Sequence, residues 1–390
     1  MAAASLSVIS NAVVLCTLLS LMQNVRVSAF SVLPTTPFSS SAQSRSVGKT
    51  SLGMATWSDP KAVKDYQDFL LTGKSEPDRK QDGPSVIISD GNSYSELAEA
   101  LWTMGMGDDV VISPFADLPS EMGGSTEYPI YVTLPPYYLA EFIRAMPDSY
   151  KERSHDMVFF SGGLNCGNIE DVLKEFAMCR DAQTQVLVSG LKFTDAKRVQ
   201  DISVQLGFSA NEEAKWAGQC TACGKWNGAI AQRMESNAIN CKVDFYRDWR
   251  RSMWEDSIST AVFHLLGVVR DDPVSYGTVA KYYYDEASEI FWEISAELRG
   301  WKAITLTFGF EERMYGFAEA IGENQPCTLD NYMFPYIWGN GAFLQSSTYL
   351  QYLHYAQSEK GLLQGIELPP IQEKLSTIMR KGNLRADGVI

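Results

Sequence analysis

Asp156-Met-Val-Phe-Phe-Ser-Gly-Gly-Leu164 is the stretch that decides the fold. Met157 to Phe160 form the short continuous apolar run of a strand buried on both faces, and Ser161-Gly162-Gly163 ends it in a turn. A helix start follows, with Asn168 as N-cap, Asp171 three residues on, and Ile169, Val172, Leu173 and Phe176 at helical spacing. Strand, glycine turn and helix make the repeating unit of open α/β sheets, whose ligands bind at the carboxyl ends of the strands. The Gly162-Gly163 pair stands at that end.

Upstream, the spacing predicts strands at Ser85–Ser89, Val110–Ile112 and Tyr128–Thr133, with helices at Tyr94–Met104 and from Pro136 to Pro147. A fifth strand is expected at Gln185–Ser189. After Gly190 helical spacing dominates: Trp226–Met234, Trp249–Leu266, Val279–Leu298, Phe310–Ile321, Phe343–Tyr355 and Ile371–Met379, with one strand near Asn240–Asp244. Trp249–Leu266 is apolar on two faces from Ile258 onward, the mark of a central buried helix. The fold class is therefore α/β: a Rossmann-like parallel sheet domain (85–190), a connecting region (191–244) and a mostly α-helical C-terminal domain (245–390).

Charge divides the chain unevenly. Residues 1–58 hold no Asp or Glu, so all 47 acids fall in 59–390 against 30 of the 33 Lys+Arg, giving 30 − 47 = −17 there. A body this acidic repels nucleic-acid phosphates, so no nucleic acid is expected as partner. The acid-free leader has an apolar run from Val8 to Met22 and a small-residue cleavage pattern at Val27-Ser28-Ala29, reading as a signal peptide over 1–29. The Ser/Thr-rich stretch 30–58 has transit-peptide composition. The junction at Phe30 resembles the bipartite presequence of algae with secondary plastids, which implies a chloroplast stromal address. Residues 59–84 read as a solvated arm, and no later run reaches the ~18 apolar residues of a membrane span, so no membrane insertion is expected.

The first strand–helix turn, where G-x-G-x-x-G would cradle a dinucleotide, reads Ser89-Asp90-Gly91-Asn92-Ser93-Tyr94, with one glycine. Asp90, Gly91 and Asn92, with Ser161, Gly162 and Gly163, are the cofactor- or ligand-binding candidates. NAD(P)H is the cofactor this position suggests, although a carboxylate stands where its diphosphate would lie. No metal site is expected, because Cys220-Thr-Ala-Cys223 has no second C-x-x-C and the chain has three His. Cys220 and Cys223, read as a turn entering a helix at Gly224 and flanked by Lys215, Lys225, Trp216 and Trp226, are the redox candidates; packed thiols are the alternative. His264, on the apolar face of the central helix, reads as a satisfied core residue. Glu311-Glu312-Arg313 reads as a solvated helix start.

The order of parts resembles ketopantoate reductase and, more broadly, the superfamily sharing the 6-phosphogluconate dehydrogenase type of C-terminal domain, closest to plant and algal plastid members. The segments carrying the likeness are Gly105-Met-Gly-Asp-Asp109, Pro129-Ile-Tyr-Val-Thr133, Asp156–Leu164, Gly224-Lys-Trp226 and Trp338-Gly-Asn-Gly341. The resemblance implies a reductase fold, a nicotinamide cofactor and dimer contacts through the helical domain. It also implies an Asn-Gly pair after the fourth strand, where this chain has Gly162-Gly163. A catalytic Lys is implied near the start of the central helix, where Trp254-Glu255-Asp256-Ser257 stands. A carboxylate there could donate a proton only if burial raised its pKa. Two functions follow: a reductase-derived stromal factor that binds a small molecule or a stromal protein, or an active NAD(P)H oxidoreductase using Ser161, Asn165, Asn340 or a carboxylate.

Overall fold

The computed structural model describes residues 80–91, 95–178, 183–193, 198–207 and 215–371. The expected presequence, most of the expected arm, Asn92 and the helix expected beyond Ile371 lie outside the described residues.

Seven strands form one sheet. Val86–Ile88 (β1) is followed by helix α1 (Ser95–Met104), then β2 (Val110–Ile112), β3 (Ile130–Val132) and α2 (Pro136–Ala145). The organising stretch is β4 (Met157–Ser161), which runs into a single turn of helix, α3 (Gly163–Cys166), and then α4 (Glu170–Glu175). The N-cap position falls on Ile169, one residue after the expected Asn168, and carries no side-chain cap; Asn168 Oδ1 instead accepts the Glu170 N–H at 3.0 Å in the turn leading in. β5 (Thr184–Leu187) follows. Two small antiparallel pairs, β6 (Leu191–Phe193) with β7 (Val199–Asp201) and β8 (Val204–Leu206) with β9 (Lys215–Ala217), lead to β10 (Cys220–Cys223), α5 (Asn227–Glu235) and β11 (Cys241–Val243).

Strand order is β11-β10-β5-β4-β3-β1-β2. Pairing is parallel from β2 to β5; β10 runs antiparallel to β5, and β11 follows β10. Segment 191–244, expected to connect two domains, thus supplies the last two strands of the sheet. The chain reverses its order between β1 and β3, and crevices form at such switch points. Alternation along each strand sends Ile87, Tyr131, Val158 and Val186 to a face covered by α1 and α5, and Val86, Ile88, Ile130 and Phe159 to a face covered by α2. Strands β1, β3, β4 and β5 are buried on both sides, as an all-parallel centre requires, while the edge strand β2 is partly exposed.

The central helix, α6, spans Tyr246–Val268, and every residue from Asp256 to Val268 is buried. Twenty-three residues make it about 35 Å long. Its first turns lie against the sheet, where Trp249 Nε1 donates to Thr221 O at 3.1 Å. Its second half is the axis for α7 (Tyr276–Tyr282), α8 (Tyr284–Trp301), α9 (Phe310–Ile321) and α10 (Ser347–Ser358). The single helix expected over Val279–Leu298 is two: Tyr283 leaves helical geometry at φ −122°, ψ 34°, and α8 restarts after it. The helix expected from Phe343 starts at Ser347, where Ser346 accepts the Tyr349 N–H.

Four buried ionic clamps join these layers. Arg233 on α5 reaches Asp82 and Asp109, its guanidinium 5.0 Å from the Tyr131 ring. Asp156 accepts from Lys225 (2.6 Å), Arg153 (2.7 Å) and Trp226 Nε1 (3.0 Å). Glu170 accepts from Arg250 through two nitrogens, from Trp254 Nε1 and from Lys174. Arg313 grips Glu255 at 2.7 and 2.8 Å and donates to Thr307. Arg313 is therefore no part of a solvated helix start; it is buried because α9 packs its first turn onto α6.

Candidate ligand crevice

Gly162 and Gly163 have φ of 110° and 60°, which puts both in the left-handed half of the map where a side chain is costly. At Gly162 a Cβ would lie 2.8 Å from Leu187 Cδ1 and 3.2 Å from Asp256 Oδ2. The glycine pair lets β4 turn sharply enough for the central helix to push a carboxylate against the turn. Asp256 Oδ2 accepts the Gly163 N–H at 2.9 Å, and the Ser189 hydroxyl stands near enough to favour the charged form. Burial pushes the Asp256 carboxyl up to about 6 against the pull of those two donors, and neighbouring Glu255 raises it further. Among the described residues no Lys or Arg nitrogen lies within 4.0 Å of it.

A crevice of about 910 Å³ opens over this carboxylate. One wall is Glu96 and Leu97 at the start of α1; another is the Gly162–Cys166 turn with Val188–Phe193; the third is the face of α6 carrying Asp256, Thr260 and His264. Asp256, Thr260 and His264 follow at i, i+4 and i+8, so they share one side of the helix. Tyr276 closes the inner end, its hydroxyl 2.7 Å from Ser259 Oγ. His264 is 2% exposed, and burial pushes its imidazole down to about 3. Its Nδ1 accepts the Thr328 N–H at 3.1 Å, which leaves the ring's one proton on Nε2. The ring is buried, as expected of a core histidine, but only Nδ1 has a partner among the described residues, and the ring is also a crevice wall. A second cavity of about 460 Å³ lies across Asp256, sharing Ser189, Asp256 and Phe317 with the first.

The expected site residues separate. Gly162, Gly163 and Asn165 line the crevice; Ser161 is buried beneath it, its carbonyl accepting the Val188 N–H. Asp90 and Gly91 lie on the turn after β1, Gly91 at φ 78°, with Ser89 Oγ accepting its N–H. Asn340 is remote from the crevice lining, holding its own loop by accepting the Ala342 N–H. Ser189, Thr260, Tyr276, Asn324 and Gln325 were not singled out from sequence. The signal for part of this set is present in α6: Asp256, Thr260 and His264 recur every fourth position on a helix that is mostly apolar from Ile258.

The redox pair is corrected. Cys220-Thr-Ala-Cys223 is a strand, not a turn entering a helix, and both cysteines are 0% exposed. Strand alternation sends Cys220 to the α5 face with Ala222 and Cys223 to the α6 face. A disulfide needs Cβ atoms about 3.5–4.5 Å apart, so thiols on opposite faces of a sheet cannot join. Burial also holds the Cys220 thiol well above its ordinary range. Trp226, one of the flanking tryptophans, covers the Cys220 side. Among the described residues no cluster of His, Cys, Asp or Glu is arranged to hold a metal ion.

A dinucleotide would have to set its diphosphate at the turn after β1. The residues there do not fit it: Asp90 and Glu96 bring two carboxylates, residues 92–94 bring no cation, and Lys192 is the one cationic side chain among the described residues lining the crevice. Phosphate cradles work by N–H groups and positive charge, and this turn sets negative charge at its entrance. No family model and no curated protein matches the chain. Among solved structures it is similar to D-mandelate dehydrogenase determined with NADH, at 12% identity and a TM-score of 0.43 over 72% of this chain and 100% of that one. It is also similar to 2-dehydropantoate 2-reductase from Porphyromonas gingivalis W83, at 10% identity and a TM-score of 0.40 over 73% and 100%.

Proposed function

We propose that this chain is a reductase-derived plastid stromal protein acting as a ligand-binding or regulatory factor, with the crevice over Asp256 as its ligand site and no part in 2-oxo acid reduction. The observation that carries the reading is Asp256 seated in the Gly162-Gly163 turn. A carboxylate-bearing substrate drawn toward that turn meets like charge, and like charges at close range in a low-dielectric site cost several kcal/mol. The stromal address rests on the acid-free leader.

A second reading, an active NAD(P)H-dependent oxidoreductase on a small plastid metabolite, has one observation in its favour. A buried carboxyl at about 6 is poised to give or take a proton near neutral pH. Calorimetric titration of NADPH and NADH into the purified protein separates the two. The binding-factor reading expects no nicotinamide affinity tighter than about 100 μM, or about −5.5 kcal/mol. Tighter binding transfers the assignment to the oxidoreductase.

A further inference from the structure

Asp256 is a buried carboxylate whose nearby donors are neutral: a backbone N–H and a serine hydroxyl. Burying a charge without a counter-charge is among the more costly arrangements a protein maintains. Among the described residues the other three buried carboxylate sites, Asp156, Glu170 and the Asp82–Asp109 pair, each hold an Arg or Lys against the oxygens. Glu255, one residue before Asp256, holds Arg313. Asp256 alone of this set faces an open cavity instead of a cation. Two turns further along the same helix face, the Nε2–H of His264 is a second neutral donor; among the described residues nothing accepts its proton. Between them lie Thr260 and the apolar walls of Leu164, Leu191 and Phe317. The net charge of −17 over residues 59–390 adds a field that draws cations toward the protein.

We infer that the crevice takes an organic cation, an amine or iminium nitrogen on an otherwise uncharged body, with that nitrogen seated against the Asp256 carboxylate in the place an Arg or Lys holds at the other clamps. The inference rests on the crevice being the ligand site and names the charge of what enters it. The uncharged body lies along the α6 face. Eight residues of helix rise about 12 Å, so a hydrogen-bond acceptor that far from the nitrogen meets His264 Nε2–H. Carboxylates and phosphates are excluded by Asp256 and Glu96, whereas Lys192 stands on a partly solvated strand at the rim.

The test uses three probes of one shape and different charge: phenethylammonium, phenethyl alcohol and phenylacetate, each titrated into the purified protein and into its Asp256→Asn variant by ligand-observed NMR. Asn keeps an oxygen to accept the Gly163 N–H and removes only the charge, and circular dichroism checks that the variant folds. The expected result is ammonium binding about tenfold or more tighter than the alcohol, phenylacetate weakest, and the ammonium–alcohol gap gone in the variant. The inference is overturned by a smaller gap, by phenylacetate binding as tightly as the ammonium, by a gap that survives Asp256→Asn, or by no probe binding at millimolar concentration. The nicotinamide titrations are independent of all these outcomes, so an error in the charge class is distinguishable from an error in the binding-factor reading.

Discussion

Asp256 and Glu170 are buried carboxyls one helix apart that titrate in opposite senses. Glu170 is held down to about 2: burial alone would raise it, but Arg250 and Lys174 outweigh that. Its stabilisation is fully present above the unfolded value near 4.5 and is lost as pH falls toward 2. Asp256, raised to about 6 from 3.8, does the reverse; its contribution turns unfavourable as pH climbs from 3.8 through 6. Each shift corresponds to something on the order of 3 kcal/mol. Urea unfolding across a pH series should therefore show Glu170→Gln weakened at pH 7, with the deficit shrinking below about 4.5. Asp256→Asn should be stabilised at pH 7 and lose that gain toward about 3.8. An Asp256→Asn protein no more stable than the parent at pH 7 contradicts the burial account. The acidic residue at Asp256 was legible in the sequence, because it stands where the resemblance implied a lysine, although α6 begins ten residues before it. Arg313 was misread because Glu-Glu-Arg at a helix start has the composition of a solvated face, and only packing reveals the Glu255 opposite it.

Among elements, β10 departs most from what its residues suggest. Cys-Thr-Ala-Cys between Gly218 and Gly224 is small and glycine-flanked, the composition of a turn. It becomes a strand because β5 and β11 offer backbone partners on both sides, a long-range pairing that no local pattern reports. Gly224 keeps its role at the end of it: at φ 89° a Cβ would lie 2.3 Å from Gln183 O. Iodoacetamide at neutral pH should leave Cys220 and Cys223 unlabelled in the folded protein and label both in urea, read by peptide mass spectrometry. Rapid labelling of either one in the native state contradicts their burial. The parallel strands β1, β3, β4 and β5 were readable because continuous apolar runs have one good use in a short segment, a strand buried on both faces; β2 has the same composition, yet at the sheet edge Val110 and Val111 are exposed. The break at Tyr283 was not, since Tyr282-Tyr-Tyr284 fits helical spacing on either side of it.

At the scale of the whole molecule, the chain joins a leader without acids to an acidic body. The leader is testable apart from the fold. Residues 1–58 fused to a fluorescent protein should enter the plastid of an alga with a secondary plastid, and Phe30→Ala should strand the fusion outside the inner envelopes; import unchanged by that substitution contradicts the address. The sheet-then-helix order was legible at both ends of the body, but not across 191–244, where helical spacing was expected to dominate and the chain instead adds two strand pairs and the last two strands of the sheet. The identity of the crevice wall was not, since it is assembled from α1, the β4 turn, β6 and α6, whose residues lie far apart in sequence. The Arg233 clamp has a bearing on maturation. Asp82 grips Arg233 by its carboxylate and Gln232 by its backbone N–H. A cut after Asp82 during maturation would take one of the two carboxylates from the buried Arg233 guanidinium and leave Asp109 alone against it.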